Sequence, residues 1–408
     1  MRQLWHVRDT VSLVVTVMCI LLAACGRSTA VVEAPVPSVA IAPVLPTPTA
    51  PPATLVPTAP TLLRPSVQAT MTRVATAVPL PPATPVPTTA HLSPTPMSTA
   101  TPDIQATALA INALFPQSNY DFRLRPIAYQ IDNAPNARPQ TALSHAYVVY
   151  EAIAEGGVTR FTALYLNKDE PKVGNLRSAR LVDFAIVQQW DALLAHVGAS
   201  DPVMDLLGKS SLAWLNLDDP ALKKWSWRTT DRVAPYNLYS SHDLVRRLAQ
   251  DKNVRVENTS PRYFPVGPKP ANGEAGSQLR IPFRAPGDVL YVYDREKAVY
   301  VRSVGGRPQI DALDGQQIGV KTIIVQMVEQ HETSIIEDIY GSRSLEFELE
   351  GHGKAIIFRD GESFPGIWHR DVSESLTTFT SVDGSSLPFA VGNVWVELVP
   401  TDLTVDVR

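Results

Sequence analysis

Half of the prolines in this chain lie in one stretch, and that stretch limits how much of the sequence can fold. Residues 27–102 hold 18 of the 36 prolines, no glycine and only four charged residues. A segment of this composition buries too little apolar surface to offset the entropy lost on ordering, and proline biases its backbone towards extended polyproline II. The composition therefore predicts a disordered tether over residues 25–102.

The residues before the tether have the layout of a bacterial lipoprotein signal peptide. Arg2 and Arg8 supply positive charge, and residues 11–22 form an apolar run too short to span a bilayer comfortably. The sequence LAAC at residues 22–25 follows as a lipobox. We therefore predict a signal peptide over residues 1–24, a lipid on Cys25, and anchoring at the extracytoplasmic face of the cell membrane.

Cysteine content, charge and the missing motifs exclude several classes of protein. The two cysteines are Cys19 and Cys25, so a body released from its signal peptide has no disulfide, thiolate nucleophile or thiolate metal site. The net charge of −4 argues against a nucleic-acid partner. The sequence GKS at residues 208–210 lacks the upstream glycine of a phosphate loop, and GxSxG, HExxH and CxxC are absent. We expect no cofactor and no metal site.

The remaining sequence predicts two domains joined by a linker. Residues 103–255 alternate strand and helix patterns, which indicates an α/β (α+β) domain with a mixed sheet. Residues 256–278 are rich in proline and glycine and form the predicted linker. Residues 279–408 consist of short strand patterns separated by turn residues, and predict a mostly-β domain.

A pair of glycines at 156 and 157 predicts a β-hairpin with a two-residue turn. This register would place Tyr150 opposite Ala163 on the core face. Glu151 and Glu155 would share the opposite face, about 13 Å apart, which is too far for a glycosidase pair. Arg160 would lie diagonal to both carboxylates and neutralise them in a salt-bridged sheet face.

Two arginines flank the predicted start of the next helix, which runs to Trp190. Ser178 is the predicted N-cap, with Arg177 and Arg180 on either side. Positive charge opposes the helix dipole at this end. We therefore expect an anionic partner, either Glu151 or Glu155, or a bound phosphate or carboxylate.

Several motifs, in order along the chain, resemble those of the YerB-type lipoproteins. They are NARPQTAL at residues 136–143, VYE at 149–151, EGGVTR at 155–160, RSAR at 177–180 and APYNLY at 234–239, followed by DG at 383–384 and GNVW at 392–395. The resemblance covers nearly all of residues 123–400 and implies an N-terminal and a C-terminal domain, both of unknown function. It implies no catalytic residues. Tyr236 stands where the family is expected to have histidine, which argues against a role there that needs an imidazole.

Two functions stay open. One is a non-catalytic module, held at the membrane by its lipid, that binds an anionic cell-wall polymer or an envelope protein. The other is a cell-envelope hydrolase or transferase that uses Glu151 or Glu155 with His196, although His196 lies on a buried strand pattern typical of an interior histidine. We favour the binding module because no recognisable catalytic constellation is present. The candidate binding cluster comprises Arg138, Glu151, Glu155, Arg160, Arg177, Arg180, His196 and Asn237.

Overall fold

The computed structural model describes residues 104–116, 118–167, 169–284 and 287–408. The predicted signal peptide, the lipidation site at Cys25 and the tether over residues 25–102 lie outside these ranges. Within them the helices are α1 (Ile104–Asn112), α2 (Leu181–Trp190), α3 (Asp201–Lys209) and α4 (His242–Asp251), with short 3-10 helices at Pro135–Ala137, Leu143–His145, Glu155–Gly157 and Pro220–Trp225.

Strands dominate the second half of the chain. In the first half they are β1 (Ile127–Asp132), β2 (Val148–Ile153), β3 (Thr159–Tyr165), β4 (Val173–Gly174), β5 (Leu193–His196), β6 (Ala213–Asn216), β7 (Trp227–Arg228) and β8 (Leu238–Ser240). In the second half they are β9 (Glu274–Ala275), β10 (Gln278–Ile281), β11 (Val289–Asp294), β12 (Val299–Val304), β13 (Arg307–Pro308), β14 (Gly319–Val320), β15 (Thr322–Val328), β16 (Gln330–Ile336), β17 (Arg343–Phe347), β18 (Gly351–Arg359), β19 (Glu362–Arg370), β20 (Thr378–Ser381), β21 (Val394–Pro400) and β22 (Asp406–Val407).

One mixed sheet takes strands from both halves of the chain. Its order is β20-β19-β18-β15-β21-β2-β3-β1-β5-β6, with β9 paired to β19. Strand β21 lies between β15 and β2 and runs parallel to both, and all seven of its residues are buried. A continuous buried run is typical of a parallel strand covered on both faces. The predicted fold class, a mixed sheet with helices followed by a mostly-β region, is confirmed.

The two faces of this central sheet carry separate apolar cores. One face packs against a six-stranded sheet, in the order β13-β12-β11-β10-β22 with β14 paired to β12. Trp395 of β21 contacts Tyr291 of β11 across this interface, with ring centroids 6.3 Å apart. The other face packs against α2, whose Ile186, Val187 and Trp190 are buried. The register of β2 and β3 therefore decides whether a polar side chain on these strands points towards the six-stranded sheet or towards α2.

The predicted register of the β2–β3 hairpin is wrong by one residue. The turn holds three residues, Glu155–Gly157, and both glycines have positive φ, +69° and +76°. Tyr150 therefore pairs with Thr162, and Ala152 pairs with Arg160. A one-residue shift moves every side chain of a strand to the other face. Arg160 consequently lies on the α2 face, away from Glu151.

A separate hairpin, formed by β16 and β17, lies beside α2 and the Glu155–Gly157 turn. Its strands pair from Gln330 with Phe347, and the register shifts between Glu332 and Ile336. The residues between the two strands include Ile339 and Tyr340, which are 93% and 87% exposed. No helix within the described ranges is long and apolar enough to cross a membrane.

Candidate functional site

Two arginines on the α2 face share one carboxylate. Arg160 comes from β3 and Arg180 immediately precedes α2. Arg160 Nη2 donates to Glu155 Oε1 at 2.5 Å, and Arg180 Nε donates to Glu155 Oε2 at 2.6 Å. Arg180 Nη2 also donates to Glu155 Oε1. Of the anions considered for Arg177 and Arg180, Glu155 and not Glu151 therefore pairs with Arg180, whereas Arg177 lies beside Asp132.

The three charged groups of this cluster, Glu155, Arg160 and Arg180, keep their charges although they are buried. Burial alone would raise the pKa of Glu155, but the hydrogen bond from Arg180 and the charge of Arg160 lower this pKa to about 2. Burial, together with the nearby charge of Arg180, lowers the pKa of Arg160 to about 10. At neutral pH all three groups are therefore ionised.

The start of α2 differs from the prediction. Its N-cap is Arg180 and not Ser178, and the Asp183 carboxylate accepts the Arg180 backbone N–H at 2.7 Å. Asp183 also accepts hydrogen bonds from Gln130 at 2.7 Å and from Thr162 at 2.6 Å. A carboxylate in the first turn compensates both the free backbone N–H groups and the helix dipole. This arrangement explains how arginines are tolerated there.

The β16–β17 hairpin covers this cluster. Leu345 and Phe347 of β17 close a cavity of about 10 Å³ that is also lined by Gln130, Thr162 and the Glu155–Arg160–Arg180 group. The side chain of Glu337, which follows β16, is fully buried, and its Oε2 lies 3.5 Å from Arg180 Nη1. Among the described residues, neither oxygen of this carboxylate has a hydrogen-bond partner.

Arg177 lies at the exposed edge of the same cluster. Its side chain is 26% exposed, compared with 9% for Arg160 and for Arg180. Arg177 Nε lies 2.8 Å from Asp132 Oδ2, and the guanidinium group lies 5.9 Å from the ring centroid of Tyr236. We call Arg160, Arg177 and Arg180 the arginine cluster.

Glu151 belongs to a different network, on the opposite face of the central sheet. Its carboxylate accepts hydrogen bonds from Thr159 Oγ1 at 2.5 Å and from Asn133 Nδ2 at 3.0 Å. It also forms an ion pair with Arg302 of β12, and both side chains are fully buried. The expectation that Arg160 neutralises Glu151 is therefore wrong, because Arg302 takes that position.

A second carboxylate, Glu397 of β21, completes this inter-sheet network. Glu397 is the direct neighbour of Glu151 in the parallel pairing of β2 and β21. It accepts a hydrogen bond from Tyr291 Oη at 2.5 Å, and Tyr291 in turn accepts one from Arg302 Nε at 2.9 Å. Burial, and then the charge of Glu151, raise the pKa of Glu397 well above its ordinary value.

Sequence reasoning missed Arg302 and Glu397, although a signal was present for each. On β12, Tyr300, Arg302 and Val304 alternate with less buried residues, so an arginine on the inward stripe indicates a buried partner. Glu397 interrupts the otherwise apolar run of β21. Neither signal identifies the partner, because Glu151 lies 151 residues before Arg302.

The remaining predicted residues have structural contacts. Arg138 donates to the side-chain and backbone oxygens of Asn133, on the Glu151 side of the sheet. His196 Nδ1 lies 2.9 Å from Gly198 O, and burial lowers its pKa to about 4, so the ring is neutral. Asn237 donates to the backbone oxygens of Thr229 and Arg232. Arg138 therefore touches the Glu151 network through Asn133, whereas His196 and Asn237 make local backbone contacts.

Three residues named for a catalytic alternative are not brought together. Glu151 contacts Arg302, Glu155 contacts Arg180, and His196 contacts Gly198. The two carboxylates belong to networks on opposite faces of the central sheet. In the part of the chain that the structure describes, no group of three or more His, Cys, Asp or Glu residues is placed to hold a metal ion.

In this fold, one central sheet takes strands from both halves of the chain and carries a buried charge network on each face, around Glu151 and around Glu155. Residues 116–255 match the N-terminal domain, and residues 279–396 the C-terminal domain, of a family described as "Protein of unknown function (DUF3048)". The chain is 31% identical over 283 residues to a Bacillus subtilis (strain 168) protein named "Putative lipoprotein YerB", covering 68% of this chain and 81% of that one. A crystal structure of the YerB protein from Bacillus subtilis is 27% identical, with a TM-score of 0.61 over 70% of this chain and 95% of that chain. The chain therefore belongs to the DUF3048 family, and the resemblance stated from its motifs is confirmed.

Proposed function

We propose that this protein is a lipid-anchored, extracytoplasmic binding module that holds an anionic component of the cell envelope at its arginine cluster. The anchor is supported by the LAAC lipobox at residues 22–25 and by the name of the Bacillus subtilis relative. The proline-rich residues 27–102 would then serve as a spacer between the lipid on Cys25 and the folded body.

The observation that carries the binding proposal is the position of Arg177. Its side chain remains 26% exposed and its guanidinium group lies beside the ring of Tyr236, at the edge of a cluster whose other two arginines are buried. Guanidinium groups bind carboxylates and phosphates through paired N–H donors, and an adjacent aromatic ring restricts their orientation. Such a group is suited to anchor an anionic polymer that approaches from solvent.

The separation of the candidate catalytic groups favours binding over catalysis. A hydrolase of the kind weighed above needs an acid, a base or a nucleophile within reach of one substrate bond. Glu151 is enclosed between two sheets with Arg302, and the ring of the interior His196 is neutral. Neither of these residues has exposed surface, and Glu155, the other carboxylate of that alternative, is held in ion pairs with Arg160 and Arg180.

Co-sedimentation with purified peptidoglycan tests this proposal. The full chain, purified in detergent, is incubated with insoluble peptidoglycan, and the pellet and the soluble fragments are both quantified. Arg177→Ala should weaken binding by about tenfold, since it removes a charge-assisted contact. The matched control is Arg255→Ala, because Arg255 is 33% exposed, pairs with Asp191, and lies at the other end of α2.

Two outcomes oppose the proposal. Equal binding by the parent, Arg177→Ala and Arg255→Ala would remove the arginine cluster from the binding surface. Release of soluble fragments by the parent but not by a heat-denatured sample would contradict the non-catalytic assignment.

A further inference from the structure

We propose that the β16–β17 hairpin is a lid over a carboxylate-binding site on Arg160 and Arg180, and that Glu337 occupies the place of the ligand carboxylate when the lid is closed. This inference rests on the proposed function, because it identifies the chemical group that the arginine cluster would receive. It also gives the cluster a closed state, which the proposed function alone does not require.

Arg160 and Arg180 use only part of their hydrogen-bond donors. Each guanidinium group carries five N–H bonds. Arg160 donates to Glu155 and to Ser178 O, and Arg180 donates twice to Glu155 and once to Ala179 O. Both arginines therefore retain N–H groups that these bonds do not use, and a planar carboxylate is a suitable acceptor for them.

The Glu337 carboxylate is buried but poorly bonded. Its side chain is fully buried and lies 3.5 Å from Arg180 Nη1, yet neither carboxylate oxygen accepts a hydrogen bond from any described residue. A buried carboxylate gains little net stability from an ion pair unless hydrogen bonds satisfy its oxygens. Glu337 is therefore an occupant that a better-bonded carboxylate could replace at small cost.

The β16–β17 hairpin is not part of a larger sheet. In the region described, β16 and β17 pair with each other and with no third strand. An isolated two-stranded hairpin is marginally stable, so its closure depends on what lies beneath it. Leu345 and Phe347 supply apolar contact, and together with Gln130 and Thr162 they enclose the cavity of about 10 Å³. Lifting the hairpin would expose this polar floor and both buried arginines.

The ligand class follows from the present occupant. The group that lies against Arg180 in the closed state is a carboxylate, so the replacing group should also be a carboxylate. Under the proposed function, an anionic polymer of the cell envelope carries it. Peptidoglycan carries such groups on its peptides. The same polymer with its carboxyl groups converted to neutral amides is the matched probe that lacks them.

Charge reversal at Glu337 tests the lid directly. In Glu337→Lys the new ammonium group would face Arg180, so the closed state becomes less favourable. Glu332→Lys is the control, because Glu332 is exposed on β16 of the same hairpin and the change in net charge is identical. Both variants are made in the full chain in detergent. Hydrogen exchange of residues 330–347 and peptidoglycan co-sedimentation are measured for each.

We expect Glu337→Lys to raise the exchange rate of the hairpin amides and the affinity for native peptidoglycan by about tenfold each relative to Glu332→Lys. The two factors should agree, because apparent affinity scales with the fraction of molecules in the competent state. Amidated peptidoglycan should bind at least about tenfold more weakly than the native polymer.

Each contrary outcome rejects a distinct statement. Equal exchange in the two lysine variants would overturn the lid, whatever the wall binding. Equal binding of native and amidated peptidoglycan would overturn the carboxylate assignment. Absence of binding by the parent and by Glu337→Lys would reject the proposed function and the ligand site with it, while the exchange measurement would still decide whether the hairpin opens.

Discussion

The Arg302–Glu151 ion pair allows a direct test of how the central and six-stranded sheets are held together. Arg302 has no exposed surface and contacts Glu151, Gln309 and the hydroxyl of Tyr291. Its guanidinium group also lies 4.7 Å from the ring centroid of Trp395. Arg302→Met keeps an unbranched apolar side chain in this space but removes the charge and its donors.

The size of the expected loss follows from what remains around Glu151. Without Arg302, the carboxylate keeps its hydrogen bonds from Asn133 and Thr159 but has a second buried carboxyl group, Glu397, beside it. Removing one partner of a buried ion pair typically costs about 3–5 kcal/mol. Because the two hydrogen bonds persist, we expect a loss of about 3 kcal/mol in the free energy of unfolding for Arg302→Met.

Urea unfolding at neutral pH measures this loss, provided that the slope of the transition is unchanged. The control is Arg280→Met, since Arg280 pairs with Asp288 and Asp406 but is 41% exposed, and it should leave the midpoint close to that of the parent. Adding Glu151→Gln to Arg302→Met should restore part of the loss, because the stranded charge is removed. Equal midpoints for Arg302→Met and the parent would refute the reasoning.

Three further predictions concern single residues. Glu397→Gln should make the protein more stable than the parent at pH 8, because burial and Glu151 raise the pKa of Glu397. A raised carboxyl pKa contributes stability that is present at acid pH and lost as the pH rises. Urea midpoints at pH 5 and pH 8 that move together in parent and variant would contradict this prediction. Glu155→Gln should lower the free energy of unfolding by about 3 kcal/mol at pH 7, because the pKa of Glu155 is lowered to about 2. This loss should shrink as the pH falls towards that value. An equal loss at pH 3 and pH 7 would show that the charge of Glu155 is not its source. Cys25→Ala should abolish incorporation of a labelled lipid and leave the signal peptide uncleaved, whereas normal processing and membrane partition of the variant would exclude the anchoring proposal.

The sequence was sufficient for the class of fold and for part of the arginine cluster. Apolar runs and turn residues indicated a mixed sheet and a mostly-β region, and both are present. Arginines at a helix start indicated an anionic partner, and Glu155 supplies one. These signals depend on residues near each other in the chain, where spacing fixes geometry.

The errors have two physical origins, the length of one turn and the packing of distant elements. The turn at Glu155–Gly157 could hold two or three residues, and that single choice decided whether Arg160 faced Glu151. The true partner, Arg302, comes from another sheet, and Glu337 from a hairpin distant in sequence. Contacts between separate sheets depend on packing that local patterns do not specify.

The position of β21 connects the two networks to the family's division into an N-terminal and a C-terminal domain. Because β21 pairs with β2 on one side and with β15 on the other, the second neighbour of β2 in the sheet, after β3, comes from the second half of the chain. The same strand brings Glu397 beside Glu151, and the adjoining six-stranded sheet brings Arg302. On the opposite face, the second half contributes Glu337 to Arg180. Each half therefore supplies charged groups that the other must neutralise. Both carboxylates are buried, but Glu151 accepts hydrogen bonds from Asn133 and Thr159, whereas Glu337 accepts none from a described residue. This difference is why we assign stability to the first contact and propose exchange with a ligand for the second.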